Sequence, residues 1–232
     1  MKKKSETIEL RESIARFIAE KLSAYGFKRK NDIFFIRKYN DDINHQFFYG
    51  GNINKYEKKV YFSISVNVEY VTLNQIIKSK LFTNAITKTM CNIGYIMPQK
   101  DYKEWMFAVG EDFTNRATDL VNTLILYGLP YLEKLSNKAT MIDAIINDPY
   151  ICRDTKSFLI PVMSYIQGDR EFALNYLEHY KELYKASFEK ENNNDDCFWD
   201  IPSIPIEDKD SINYGIYVEN LKKIMAEGKT LE

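Results

Sequence analysis

Between Val60 and Tyr70 the side chains alternate without a break. Val60, Phe62, Ile64, Val66, Val68 and Tyr70 are apolar or aromatic, whereas Tyr61, Ser63, Ser65, Asn67 and Glu69 carry hydroxyl, amide and carboxylate groups. Successive side chains of a β-strand point to opposite faces, so this segment makes a strand with one apolar and one polar face. Strands sandwiched between two helix layers read as continuous apolar runs instead. The alternation therefore predicts an antiparallel sheet covered by helices on one side only and argues against a doubly wound parallel sheet.

The flanking sequence supplies the remaining pieces. Leu10, Ile14, Phe17, Ile18, Leu22 and Tyr25 recur at helical spacing from Thr7 to Tyr25, and Gly26 is a natural stop. Ile33 to Tyr39 and Ile43 to Tyr49 read as strands around an Asn40-Asp41-Asp42 turn, the second ending at Gly50-Gly51-Asn52. Leu73 to Met90 reads as helix. Asn92 to Met97 and Trp105 to Val109 read as two further strands around Pro98 to Asp101, for a sheet of about four or five strands. Asp112 caps a long helix with a buried stripe of Phe113, Ala117, Leu120, Val121 and Leu124. Gly128 and Pro130 are expected to kink or interrupt it before the period resumes at Tyr131, Leu132 and Leu135.

After about residue 137 strand signals stop. Met141 to Ile146, Thr155 to Gln167, Asp169 to Ala186 and Ser211 to Ala226 read as helices, and Glu191 to Asp210, with Pro202 and Pro205, reads as a mobile loop. The fold class is thus α+β: an antiparallel sheet with helices on one face over residues 1–136, then an all-helical region over 137–232. The sequence leaves open whether that region is a separate domain or packs back on the first.

Two stretches resemble known families. Gly26-Phe27-Lys28-Arg29-Lys30, Phe34-Phe35-Ile36-Arg37, Asn92-Ile93-Gly94-Tyr95-Ile96-Met97-Pro98 before Trp105, and Gly128-Leu129-Pro130 resemble the bacterial domain-of-unknown-function family 4304 across the first 136 residues. That resemblance implies a helix packed on an antiparallel sheet and no activity. Gly168-Asp169-Arg170-Glu171-Phe172-Ala173-Leu174 is similar to the turn and second helix of a tetratricopeptide repeat. Pro161 and Ser157 depart from that pattern upstream, and a solenoid needs about three repeats where one is found, so an ordinary helical hairpin is the simpler expectation.

Composition narrows the functional classes. The 232 residues carry a net charge of -1, with no overall bias towards nucleic acid. Residues 1–60 hold 14 Lys and Arg against 8 Asp and Glu, and residues 191–232 hold 4 against 10. Lys28-Arg29-Lys30 is thus a basic run that the acidic tail can neutralise, and a nucleic-acid partner is not expected. Cys91, Cys152 and Cys197 are odd in number and far apart, which points to a reducing, cytoplasmic setting. Lys2, Lys3 and Lys4 are followed by Glu6, Glu9, Arg11 and Glu12 rather than an apolar run, so no secretory leader is expected. No stretch approaches the roughly 18 apolar residues of a membrane span.

Motifs for chemistry are sparse. The two histidines, His45 and His179, have no nucleophile elbow or nearby cysteine to serve. His179 and Glu182 share a helix face but lack the repeated ligand pattern of a metal bundle, and clustered zinc ligands are missing. Asp41 and Asp42 form a turn, not a calcium loop, and Gly50-Gly51 is no phosphate loop. No metal, cofactor or catalytic residue is assigned. The expected function is non-enzymatic binding of a partner, another protein, with Tyr61, Ser63, Ser65, Asn67 and Glu69 as candidate contacts. The alternative is a carboxylate-dependent hydrolase, whose acid pair has no local signature.

Overall fold

The computed structural model describes residues 5–31, 34–81, 88–190, 209–229 and 231. In chain order the elements are α1 (Glu6–Ser23), β1 (Lys28–Arg29), β2 (Phe34–Lys38), β3 (Ile43–Asn54), β4 (Lys59–Tyr70), α2 (Val71–Lys80), β5 (Lys88–Asn92), α3 (Ile93–Ile96) and β6 (Glu104–Ala108). Helix α4 (Thr114–Thr123), a π turn (Leu124–Gly128), α5 (Leu129–Ser136), α6 (Met141–Ile146), α7 (Arg153–Ile166), α8 (Arg170–Lys190) and α9 (Lys209–Ala226) follow. The fold is α+β with an antiparallel sheet. The chain forms two compact units: Met1–Val71 with Lys88–Cys152, and Thr72–Thr87 with Arg153–Glu232.

The first unit is built on the β3–β4 hairpin, which pairs Ile43 with Tyr70 at one end and Asn54 with Lys59 at the other. Gly50 and Gly51 do not end β3, contrary to the expectation from their type. Each permits a close approach: a Cβ on Gly50 would lie 3.0 Å from Ser63 Oγ, and one on Gly51 would lie 3.2 Å from Arg11 Cδ. The chain turns only after Asn54, over residues 55–58, where Lys58 adopts a φ of 51°. β2 pairs with β3 and the two-residue β1 with β2, giving six strands; β1 is too short to leave a periodic signal.

The far edge of β4 is shared. β5 pairs with its Ser65–Glu69 half and β6 with its Lys59–Ser63 half. Here the expected helix to Met90 and strand from Asn92 to Met97 are both corrected: α2 ends at Lys80, residues 82–87 lie outside the described residues, and β5 ends at Asn92. Asn92 explains the change. Its Oδ1 accepts from the N–H groups of Gly94 and Lys103, at 2.9 and 3.0 Å, which caps the short α3 and ties down the returning chain. Gly94 is required there, because a Cβ would sit 2.0 Å from the Asp101 carbonyl oxygen.

Val60, Phe62, Ile64, Val66 and Val68 point to the helix-covered face and are fully buried, with Phe35 and Phe47 beside them. Ile14, Ile18 and Leu22 of α1 and Leu120, Leu124, Leu132 and Leu135 from the α4–α5 stretch complete this core. Gly26 leaves α1 at a φ of +81°, and Phe27 then stacks on Phe47 at 4.7 Å. The predicted interruption near Gly128 takes the form of a π turn. The Leu129 N–H reaches back five residues to the Leu124 oxygen, and Pro130 falls in the first turn of α5, where its missing donor is harmless. Gly128 lets this helix touch the sheet: a Cβ would be 2.8 Å from Phe47 Cε1.

In the second unit, α7 and α8 form a helical hairpin across Gln167–Asp169, with Gly168 at a φ of +89° and Asp169 Oδ1 accepting from the Phe172 N–H. Tyr217 of α9 donates to the Phe158 oxygen at 2.8 Å and packs edge-on against the Phe158 ring. Asn220 donates to the Leu81 oxygen. Residues 191–208 of the expected polar loop, and Ile33 at the start of an expected strand, lie outside the described residues; Lys209 and Asp210 are already helical.

Candidate functional site

The polar face of the sheet in the first unit is set by the register of β4. Asn44 and Gln46 of β3 stand opposite Glu69 and Asn67, and Phe48 stands opposite Ser65. On the other side Met90 of β5 faces Asn67, and Glu104 and Met106 of β6 face Ser63 and Tyr61. Tyr61, Ser63, Ser65 and Glu69 are half-buried, whereas Asn67 is only 2% exposed and Gln46 only 3%. The five residues singled out from alternation do therefore share a row, and one of them is buried within it.

Four polar side chains of this face form a ladder. Glu69 Oε2 accepts from Gln46 Nε2 at 2.5 Å and from Asn44 Nδ2 at 3.2 Å, and Gln46 Oε1 accepts from Asn67 Nδ2 at 2.7 Å. Both buried amide orientations follow from the carboxylate. An ionised carboxylate only accepts, so Gln46 must turn its NH2 to Glu69; its carbonyl then faces Asn67, which must donate in turn. The ladder therefore ends on Asn67 Oδ1, a buried acceptor with no hydrogen-bond partner among the described residues. At the other end of the row, Tyr61 shares an open concavity of about 560 Å³ with Asn52, Asn54, Tyr56 and Glu104. Tyr56, at the hairpin tip, is fully exposed.

His45, on the opposite face of β3, is fully buried and wired against base catalysis. Ser136 Oγ donates its only proton to the Leu132 oxygen at 2.8 Å, so His45 Nε2, 2.7 Å away, must be the donor to Oγ. His45 Nδ1 then accepts from Arg37 Nη2 at 2.8 Å. A nucleophilic serine needs the reverse polarity, with the imidazole taking the Oγ proton. Burial, reinforced by the Arg37 charge, pushes the imidazole pKa down to about 3 and keeps it neutral. Sequence alone does not bring His45 and Ser136 together, since they lie 91 residues apart.

Other reactive groups are similarly engaged. Cys91 is buried, and burial together with Asp148 pushes its thiol up to about 12, so it is a poor nucleophile. Burial likewise raises the Tyr131 phenol, with Asp148 contributing. In the basic run, Arg29 is ion-paired to Glu12 at 3.1 Å. His179 and Glu182 are exposed on α8. Among the described residues no group of three His, Cys, Asp or Glu side chains is placed to hold a metal ion, and no helix is long and apolar enough to cross a membrane. Comparisons with protein-family models, with curated proteins and with solved structures gave no match.

Proposed function

We propose that this chain is a non-enzymatic binding protein that engages a protein partner through the polar face of its sheet. The observation that supports this reading best is the pair of tyrosines at the end of the polar row: Tyr61 lines the open concavity and Tyr56 stands free at its rim. Tyrosine supplies a large, rigid contact area with a polar tip, and it is enriched among the residues that dominate protein interfaces. The neighbouring amides of Asn52 and Asn54 and the side chains of Ser63 and Ser65 add hydrogen-bonding groups on a backbone already ordered by β-pairing, which lowers the ordering cost of association. Cys91 and Cys152 are not joined in a disulfide, which fits a reducing compartment.

The hydrolase alternative needs two carboxyl groups within about 5–9.5 Å of each other. The carboxylates that the register places on β4 and β6 of this face are Glu69 and Glu104, the latter opposite Ser63. Six residues of extended strand separate these levels, about 20 Å, so these two do not form such a pair. The test is affinity capture from the native cell, comparing the wild-type chain with Tyr61→Ala and with a Tyr56→Ala, Tyr61→Ala double variant. Partners retained by the wild type and lost from folded variants support the reading; identical capture by all three removes this face from consideration.

A further inference from the structure

The outer edge of β3 is only partly covered. β2 pairs with Asn44–Phe48, and the connection from β1 closes at the bond from the Lys30 N–H to the Phe34 oxygen, level with Phe48. Beyond that level, among the described residues, no strand pairs with Gly50–Asn54 on this side, whereas β4 holds the same residues on the other. Asn52 is exposed, and Gly50, Gly51, Ile53 and Asn54 are half-buried, so the edge is reached from solvent. Sheets blunt such an edge with a proline, a bulge or a charge within the strand. This stretch has none of them: its sequence is Gly-Gly-Asn-Ile-Asn, and the register with β4 runs unbroken from Ile43 to Asn54. Glycine within a strand also marks a place where another backbone can come close.

Charge decides the occupant. The Arg11 side chain crosses Gly51, its Cδ 3.2 Å from where a Cβ would stand, and its guanidinium reaches towards Glu12. Glu12 is bound to Arg29 of β1, two strands away, so Arg11 lies over the open side of β3 rather than over β4. Arg29 already holds both Glu12 oxygens, at 3.1, 3.2 and 3.3 Å, while Arg11 stands 3.8 Å off. At the other end Lys58 and Lys59 are paired with Glu6 and Glu57, but Lys55 is exposed and has no ion pair among the described residues. The open edge is thus flanked by positive charge at both ends. A second copy pairing antiparallel through the same edge would set Arg11 against Lys55, and like charges opposed across strands are destabilising. We propose that Gly50–Asn54 receives an extended, acidic segment of a protein partner as an added β-strand, with a carboxylate of that segment at Arg11. This inference rests on the proposed binding of a protein partner and adds the manner of its attachment. Backbone hydrogen bonds hold the added strand. Its alternate side chains fall on the polar face beside Asn52 and Asn54, which line the concavity.

The experiment uses the isotope-labelled full chain and three capped pentapeptides. One has the sequence aspartate-valine-threonine-valine-aspartate, the second has lysine in place of both aspartates, and the third is the acidic peptide with every backbone nitrogen methylated. The backbone amide signals of Gly50–Asn54 and their hydrogen-exchange rates report the edge directly. The expected result is a saturable shift and slowed exchange of these amides with the acidic peptide, and neither with the lysine or the methylated peptide. Arg11→Gln should bind the acidic peptide about threefold more weakly, the size of one partly exposed ion pair. No response to the acidic peptide, or an equal response to the lysine or methylated peptide, overturns the inference. So does slowed exchange that rises with protein concentration and needs no peptide, which would make a second copy the occupant. The capture experiment with Tyr56 and Tyr61 removed reads the concavity and not the edge, so failure of the added strand and failure of the tyrosine face are told apart.

Discussion

Acidification from pH 7 to pH 5 should destabilise the first unit through one residue, His45. Its imidazole is fully buried, and its pKa is lowered from 6.5 to about 3, first by burial and second by the Arg37 guanidinium. Between those two values the unfolded chain binds a proton that the folded chain refuses. The stability linked to His45 is therefore complete above the unfolded pKa and is lost as pH falls towards the folded one, with a slope that approaches 1.4 kcal/mol per pH unit. Integrated from pH 7 to pH 5, the loss is about 2 kcal/mol. Urea unfolding at the two pH values, followed by fluorescence of the buried Trp105, measures it. The control is His45→Gln, whose amide keeps a donor and an acceptor without titrating. Carboxylates that begin to titrate near pH 5 are common to both proteins and cancel in the comparison, and the second histidine, His179, is exposed. Wild type should lose about 2 kcal/mol more than the variant over this interval. An equal pH dependence in the two proteins would refute the neutral, donor-wired assignment of His45.

Two glycines and two cysteines give further tests. Gly128→Ala forces a methyl group to 2.8 Å from the Phe47 ring and should cost about 1–3 kcal/mol in urea unfolding, since the buried ring can shift only slightly. Gly94→Ala meets backbone atoms at 2.0 and 2.6 Å, which cannot swing aside, so its loss should exceed that of Gly128→Ala; the opposite ranking would contradict the α3 packing. Thiol labelling of the native protein followed by peptide mapping should modify exposed Cys152 and spare buried Cys91, with Cys91 reacting only once the first unit unfolds.

Period carried most of the fold. The strict alternation of β4 was enough to place one apolar and one polar face, because a period of two has no other reading, and the 3.6 period of α1 placed Ile14, Ile18 and Leu22 in the core, whereas Tyr25, the last residue of the same pattern, lies beyond the helix and is exposed. Chain punctuation was less reliable. Gly50-Gly51 looks like a strand end, yet these glycines exist to let Ser63 and Arg11 approach, a tertiary reason with no local signal. Asn92 similarly reads as a strand residue until its side chain is seen capping Gly94 and Lys103. The candidate row was legible in part. Alternation placed Asn67 and Glu69 on one face, but the ladder also needs Gln46 and Asn44, and their partners depend on a hairpin register fixed by a turn at Lys55–Lys58. His45 illustrates the same limit: its burial against Ser136 joins residues 91 apart, which no local pattern encodes.

The division of β4's outer edge between two strands has a consequence for behaviour at high concentration. An exposed sheet edge is a template for a neighbouring molecule, and long, flat edges drive association into fibrils. Here one margin of the sheet is the two-residue β1, and the other is broken into β5 and β6, each five residues long, with the α3 turn between them. Arg116 further occupies the Met106 carbonyl within β6. The outer edge of β4 is thus covered only by pieces too short to recruit a second copy, whereas β2 covers β3 over Asn44–Phe48 alone.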